Sequence, residues 1–151
     1  LFPLSSVIEI PQSPIFHTID KNLQPRKIFV ARVKDCLVFQ PFSEYPIGQI
    51  TLRSISNSVL VLPPTSGSVF IEDCTDCTFI LASRQIRVHT TTNSRFALMS
   101  GSKPVIENCK GLDIYDLLEL SPVLGEVFVR SIKEVFGEAT PNNCFTIQDF
   151  Q

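Results

Sequence analysis

Gln85, Arg87 and His89 alternate along one short stretch, with Phe70, Glu72 and Glu107 at matching places in the segments before and after it. On residues alone, an arginine near glutamates reads first as a surface ion pair. An exposed aromatic beside it turns the group into a cationic and apolar patch suited to docking a protein. His89 has the chemistry of a proton carrier, but no nucleophile accompanies it, which leaves it as a salt-bridged or hydrogen-bonded member of the patch. A hydrolase or lyase surface needs clustered outward acids or a Ca²⁺ site, and Glu72 and Glu107 fall in separate segments. Among five cysteines, Cys74-Thr-Asp-Cys77 has CxxC spacing, yet zinc needs further ligands that no nearby His-Cys pair supplies. No metal site and no cofactor is expected.

The elements that position these residues come from a five-fold repeat starting at Ile28, Ile50, Val69, Ile86 and Pro104. Small or apolar residues recur at offsets 0, +2, +5, +8 and +10, while offset +7 holds only Asp35, Asn57, Asp76, Asn93 and Gly111. Those are the residue types that tolerate a left-handed backbone, so one turn conformation is demanded once per copy. A unit of about 20 residues with period-2 segments cannot bury its own apolar face, and stacking is the remedy. The fold class is therefore all-β, a parallel β-helix of five coils. Cys74 and Cys109 fall on the +5 row and Cys36 and Cys77 on the +8 row, which makes them small core residues in a reducing compartment.

Side chains alternate across a strand, so offsets -1, +1 and +3 point outward. The columns are Lys27-Gln49-Ser68-Gln85-Lys103, Phe29-Thr51-Phe70-Arg87-Val105 and Ala31-Arg53-Glu72-His89-Glu107. Diagonal neighbours lie about 8 Å apart at Cβ, so Glu72 and Glu107 are expected to hold Arg87 upright beside an exposed Phe70.

Residues 1–26 are proline-rich and carry one apolar alternation, Val7-Ile8-Glu9-Ile10, which reads as an extended arm with one strand covering the first coil. The coils take residues 27–115. In residues 116–151 the period changes: Ser121-Pro122 starts an amphipathic helix that ends at Gly137 and closes or flanks the C-terminal end of the stack. Phe145, Ile147 and Phe150 of the tail are expected to pack against the helix or the coils. The chain starts at Leu1 without a signal peptide and reads as a piece of a longer protein. A net charge of -2 and a pI near 5.7 leave no electrostatic footprint for nucleic acid or an anionic membrane, and no apolar run is long enough to span one. Its partners are expected to be proteins, and the domain itself a monomer.

The stretch Gly67-Ser-Val-Phe-Ile-Glu-Asp-Cys-Thr-Asp-Cys-Thr-Phe-Ile-Leu-Ala-Ser-Arg-Gln-Ile-Arg-Val-His89, followed by Pro104-Val-Ile-Glu-Asn-Cys109, closely resembles the tubulin-folding cofactor C family. The resemblance covers Ile50 to Gly111, and the ending Asn142-Asn-Cys-Phe-Thr-Ile-Gln-Asp-Phe150 resembles the family's Asn-Trp-x-x-Val-x-Asp-Phe signature, with Phe145 in place of Trp. It implies a right-handed β-helix, shared with the X-linked retinitis pigmentosa protein and the actin-binding domain of cyclase-associated proteins. It also implies GTPase activation. Cofactor C acts with cofactors D and E to promote GTP hydrolysis by β-tubulin and release the native α/β heterodimer, and the retinitis pigmentosa relative acts on an Arl-type small GTPase.

The family's arginine finger in Gln-Gln-φ-Arg lands on Arg87, its companion glutamine on Gln85 and its glutamate on Glu107, while Arg84 replaces the first glutamine. Partners implied are β-tubulin and cofactors D and E, with an Arl-type GTPase or a non-catalytic docking role as alternatives, in a cytoplasmic, cytoskeleton-associated setting. The chain lacks a GxxxxGK[ST] loop, so nucleotide and Mg²⁺ are expected to come with the substrate. A helical tubulin-contacting region is expected ahead of Leu1.

Overall fold

A computed structural model describes residues 6–9, 22–137 and 141–150, so all of the N-terminal arm before Asn22, apart from its strand at 6–9, lies outside the described residues. The repeat frame holds at every rung. One wall of the coil contains β2 (Arg26–Ala31), β4 (Ile47–Arg53), β6 (Thr65–Glu72), the second half of β7 (Thr78–His89), β9 (Val105–Glu107) and β11 (Gln148–Phe150). A second wall contains β1 (Ser6–Glu9), β3 (Cys36–Phe39), β5 (Val59–Val61), the first half of β7, β8 (Thr92–Ser100) and β10 (Lys110–Asp116). All pairs are parallel. A short third side is stitched at offset +6, from Lys34 to Ser56, Thr75 and Thr92. The strand expected in the arm is β1, which pairs with the first coil through Cys36–Phe39.

In-register stacking places like offset over like offset, so apolar rows become continuous columns. In the second, third and fourth coils every inward residue is buried, from Ile50 and Leu52 through Val69, Ile71 and Phe79 to Ile86, Val88 and Phe96. Phe79 and Phe96 stack with ring centroids 5.0 Å apart at 23°. Burying such side chains is worth about 1.5–3 kcal/mol each, so these three coils are the stability of the fold. The inward residues of the outer coils are half-buried apart from Cys36, Val38 and Pro104, because a full coil stacks on one side only and single strands, β1 and β11, on the other.

Each coil turns twice through the left-handed region. The +7 row does so as expected, with φ of 55° at Asp35, 46° at Asn57, 54° at Asp76, 49° at Asn93 and 65° at Gly111. A second row, at offset +4, does so too: Arg32, Ser54, Asp73, Thr90 and Asn108 have φ between 44° and 56°. The +4 amide of one coil donates to the +3 carbonyl of the next, as in Ser54 N to Glu72 O at 3.0 Å and Thr90 N to Glu107 O at 3.0 Å. Gly111 is needed twice over, since a Cβ there would sit 2.7 Å from Asn93 Oδ1.

Cysteine, serine and threonine on the +5 and +8 rows have a local reason. Each donates to the carbonyl two residues earlier: Cys74 Sγ to Glu72 O at 3.3 Å, Cys77 Sγ to Thr75 O at 3.2 Å, Ser58 Oγ to Ser56 O at 2.8 Å, and Thr91 Oγ1 to His89 O at 3.0 Å. Corner carbonyls facing the core are thereby satisfied by side chains small enough to fit the bend. The CxxC pair is two successive corners, and all five cysteines are free. Burial pushes the Cys74 thiol up to about 12 and the Cys77 thiol up to about 11.

The C-terminal helix differs from expectation in continuity. A 3₁₀ turn (Leu117–Leu120) leads into α1 (Ser121–Leu124), which Gly125, at φ 82°, separates from α2 (Glu126–Phe136). Gly137, at φ 78°, ends α2, its amide donating to Lys133 O at 2.7 Å. Of the two placements expected, the helix flanks the stack. Phe128, Ile132 and Phe136 bury against Ala82, Ala97 and Met99, the outward residues of β7 and β8. The tail instead meets the last two coils: Asn142 Nδ2 donates to Leu98 O at 2.9 Å, Cys144 enters the coil core, and β11 extends the first wall past β9. Phe145 and Phe150 are not packed as expected but 63% and 54% exposed, because Cys144 takes the inward place. No helix among the described residues is long and apolar enough to cross a membrane.

Candidate functional site

The first wall is flat where strands pair in register, so its outward columns are lines of side chains on a fixed spacing. The +1 column runs Phe29, Thr51, Phe70, Arg87, Val105 and Gln148. The +3 column runs Ala31, Arg53, Glu72, His89, Glu107 and Phe150. From β4 to β9 both lie on strands whose backbones are paired on each side, while β2 and β11 form the edges.

The +3 column is a charge ladder. Arg53 Nε donates to Glu72 Oε2 at 2.8 Å, His89 Nδ1 lies 3.9 Å from Glu72 Oε1, and His89 Nε2 lies 3.7 Å from Glu107 Oε2. His89 is further tied to the corner through Thr90 Oγ1 at 3.1 Å, which donates to Asp73 Oδ1 at 2.7 Å. Here the expected role of the two glutamates is corrected: they partner Arg53 and His89, not Arg87. Direct neighbours one rung away, about 4.8 Å, compete better than diagonal ones at about 8 Å.

Arg87 is exposed, and among the described residues its guanidinium makes no hydrogen bond and no ion pair. Its rung neighbours are Phe70 and Val105. Phe70 is half-buried rather than exposed, because it is flanked on both rungs of a continuous sheet. The large exposed ring of this column is Phe29, 62% exposed, at the far end. Gln85 is exposed and accepts from Ser68 Oγ at 3.4 Å. Arg84 lies 5.8 Å over the Phe136 ring, so it ties the strand to α2 and not to the patch.

Beside Arg87 an open groove of about 450 Å³ is lined by Gln85, Arg87, Ser102, Lys103, Val105 and Gln148. Among the described residues, no carboxylate lines it. Lys103 and Gln148 escaped sequence reasoning as site residues; the -1 column that contains Lys103 was the available signal for the first, and for the second there was none. Chemically the arrangement is a fixed cation with a vacant face, among ladders that satisfy their own charges. It can meet an anion supplied by another molecule.

The family model described as tubulin binding cofactor C matches residues 25–150. Tubulin-specific chaperone C of Bos taurus is 30% identical over 101 residues, which cover 67% of this chain and 28% of that protein. The Homo sapiens protein of the same name is 28% identical over 139 residues, covering 92% of this chain and 38% of that protein. The chain thus spans well under half the length of these relatives. The solved structure of tubulin binding cofactor C from Leishmania major superposes with a TM-score of 0.64 at 18% identity over 82% of this chain and 80% of that one, a likeness of fold. With the match running from the first coil to the tail strand, the chain belongs to the tubulin binding cofactor C family.

Proposed function

We propose that this domain takes part in tubulin folding by stimulating GTP hydrolysis on β-tubulin, with Arg87 as an arginine finger supplied in trans. The observation that carries the reading is the unpartnered, exposed guanidinium of Arg87 on a strand paired on both sides. In phosphoryl transfer, charge spreads over the transferring group, and an arginine finger accelerates the step by about 10³ to 10⁵. A guanidinium held on a rigid wall needs little reordering as that charge develops. Arg87 donates in a planar fork to the phosphoryl oxygens, Gln85 steadies it from the neighbouring place in the strand, and nucleotide and Mg²⁺ arrive with the tubulin. Glu72, His89 and Glu107 form the polar rim of the docking face, and Phe70 its apolar floor. Cofactors D and E present the client, in the cytoplasm, where free thiols persist.

The test is GTP turnover by tubulin with cofactors D and E, with and without this domain. Arg87→Ala should abolish stimulation while leaving the melting temperature within about 2 °C, since an exposed side chain is removed. Arg87→Lys should rescue poorly, because a point charge does not reproduce the fork. Full stimulation by the alanine variant would make the domain a docking module. Stimulation of an Arl-type GTPase in place of tubulin would change the client and keep the finger.

A further inference from the structure

The groove beside Arg87 holds a second cation for which the docking ladders have no use. Lys103 is exposed, lines the groove, and among the described residues has no hydrogen bond and no ion pair. Two unpartnered cations share one concavity, and no carboxylate among the described residues lines it. Elsewhere on the same wall the cation Arg53 is met by an acid on the next rung. Like charges left together in this way repel, and an anion seated between them relieves the repulsion.

The turn that carries Lys103 is pinned. Gly101 N donates to Ser83 O at 2.9 Å, Ser102 Oγ donates to Arg84 O at 2.8 Å, and Gln148 N donates to Pro104 O at 2.9 Å. Pro104, buried, immediately follows Lys103. The base of the lysine is therefore fixed relative to Arg87, while its stem is long enough to move. A planar fork and a mobile point charge side by side suit neighbouring phosphoryl groups of one chain: the fork takes one bidentately and the ammonium takes the next.

We infer that Lys103 and Arg87 together form a polyphosphate-binding groove, in which Lys103 grips the phosphate chain of the nucleotide that the partner brings. This rests on the GTPase reading above and assigns Lys103 the grip on the nucleotide rather than on the partner's protein surface. A lysine contact made alike before and during the reaction strengthens binding and leaves the turnover at saturation alone.

Sodium tripolyphosphate is the probe for the groove itself. In titrations of this chain followed by the Arg87 Nε–Hε resonance, Lys103→Ala should weaken binding about fivefold or more, as loss of one charge-assisted contact does. Lys27→Ala is the control: it removes a lysine from the same column three rungs away from Gln85 and should change binding less than about twofold, being beyond a Debye length. No binding by the wild type, equal binding by Lys103→Ala, or equal weakening by the two variants would overturn the inference. In the tubulin assay, Lys103→Ala should raise the domain concentration for half-maximal stimulation about tenfold with the maximal rate kept, the signature of uniform binding. In direct binding measurements, a tenfold loss of affinity of Lys103→Ala that is the same for nucleotide-free and GTP-loaded partner would place Lys103 on an acidic protein surface and overturn it. Failure of Arg87→Ala to affect turnover would instead remove the finger reading, with the tripolyphosphate result standing on its own.

Discussion

Arg53 and Glu72 meet across adjacent rungs at 2.8 Å, one column over from Arg87. Because Glu72 is occupied there, Arg87 keeps its full charge facing outward. Glu72→Gln should therefore change stability by less than about 1 kcal/mol, the pair being largely exposed, and change stimulated GTP turnover less than about twofold. Thermal melts and the tubulin assay check both. A loss of turnover above tenfold would mean that Glu72 moves to Arg87 in the complex.

Phe79 and Phe96 are the paired rings of the middle coils, both fully buried. Phe96→Ala should cost about 3–5 kcal/mol in urea unfolding, and Phe96→Leu markedly less, since the cavity is smaller. Similar losses for the two would point to backbone collapse instead of a lost stack.

The corner rows make opposite predictions at different positions. Gly111→Ala should destabilise by about 1–3 kcal/mol, from its positive φ and the crowding against Asn93 Oδ1. Asn93→Val should cost a similar amount by forcing a β-branched residue to φ 49°. Thr90 already carries such a strain at φ 44°, so Thr90→Asn should stabilise by about 1 kcal/mol. A destabilised Thr90→Asn variant would show that its bond to Asp73 outweighs the strain.

The buried thiols give a pH dependence. Cys74 and Cys77 titrate at about 12 and about 11 in the folded chain against an ordinary 9.0, because burial disfavours the thiolate. Below pH 9 both states keep these protons, and their contribution to stability is fully present. Above it the unfolded chain ionises while the folded one does not, so stability falls as pH rises toward 12. Denaturation midpoints should fall less steeply above pH 9 for a Cys74→Ala, Cys77→Ala variant than for the wild type.

The coil was legible because stacking in register repeats one chemical demand at each rung. Asp35, Asn57, Asp76, Asn93 and Gly111 share a residue class, so their turn could be read. The +4 turn could not, since Arg32, Ser54, Asp73, Thr90 and Asn108 adopt the same backbone with unrelated side chains, held there by the bond to the next rung. The helical period runs on past Gly125, so periodicity hides the break that its φ of 82° makes. In the site, the columns placed Gln85, Arg87 and His89 on one wall, but which acid serves which base depends on a choice between direct and diagonal neighbours. Nothing local in the tail marks that Gln148 reaches the groove, because that contact depends on where the last ten residues land.

β7 runs unbroken from Thr78 to His89, whereas the other coils interrupt their third corner with a connecting segment. Copies beginning at Val69 and Ile86 leave no residues for one. The stacked ring of Phe79 and the guanidinium of Arg87 thus belong to one strand that turns from the second wall to the first without a connecting segment. A visitor pressing on residue 87 pushes against the middle of the core, so the domain behaves as an anvil and not as a jaw. Under the arginine-finger reading, the motion that brings charge and phosphate together then falls to the partner.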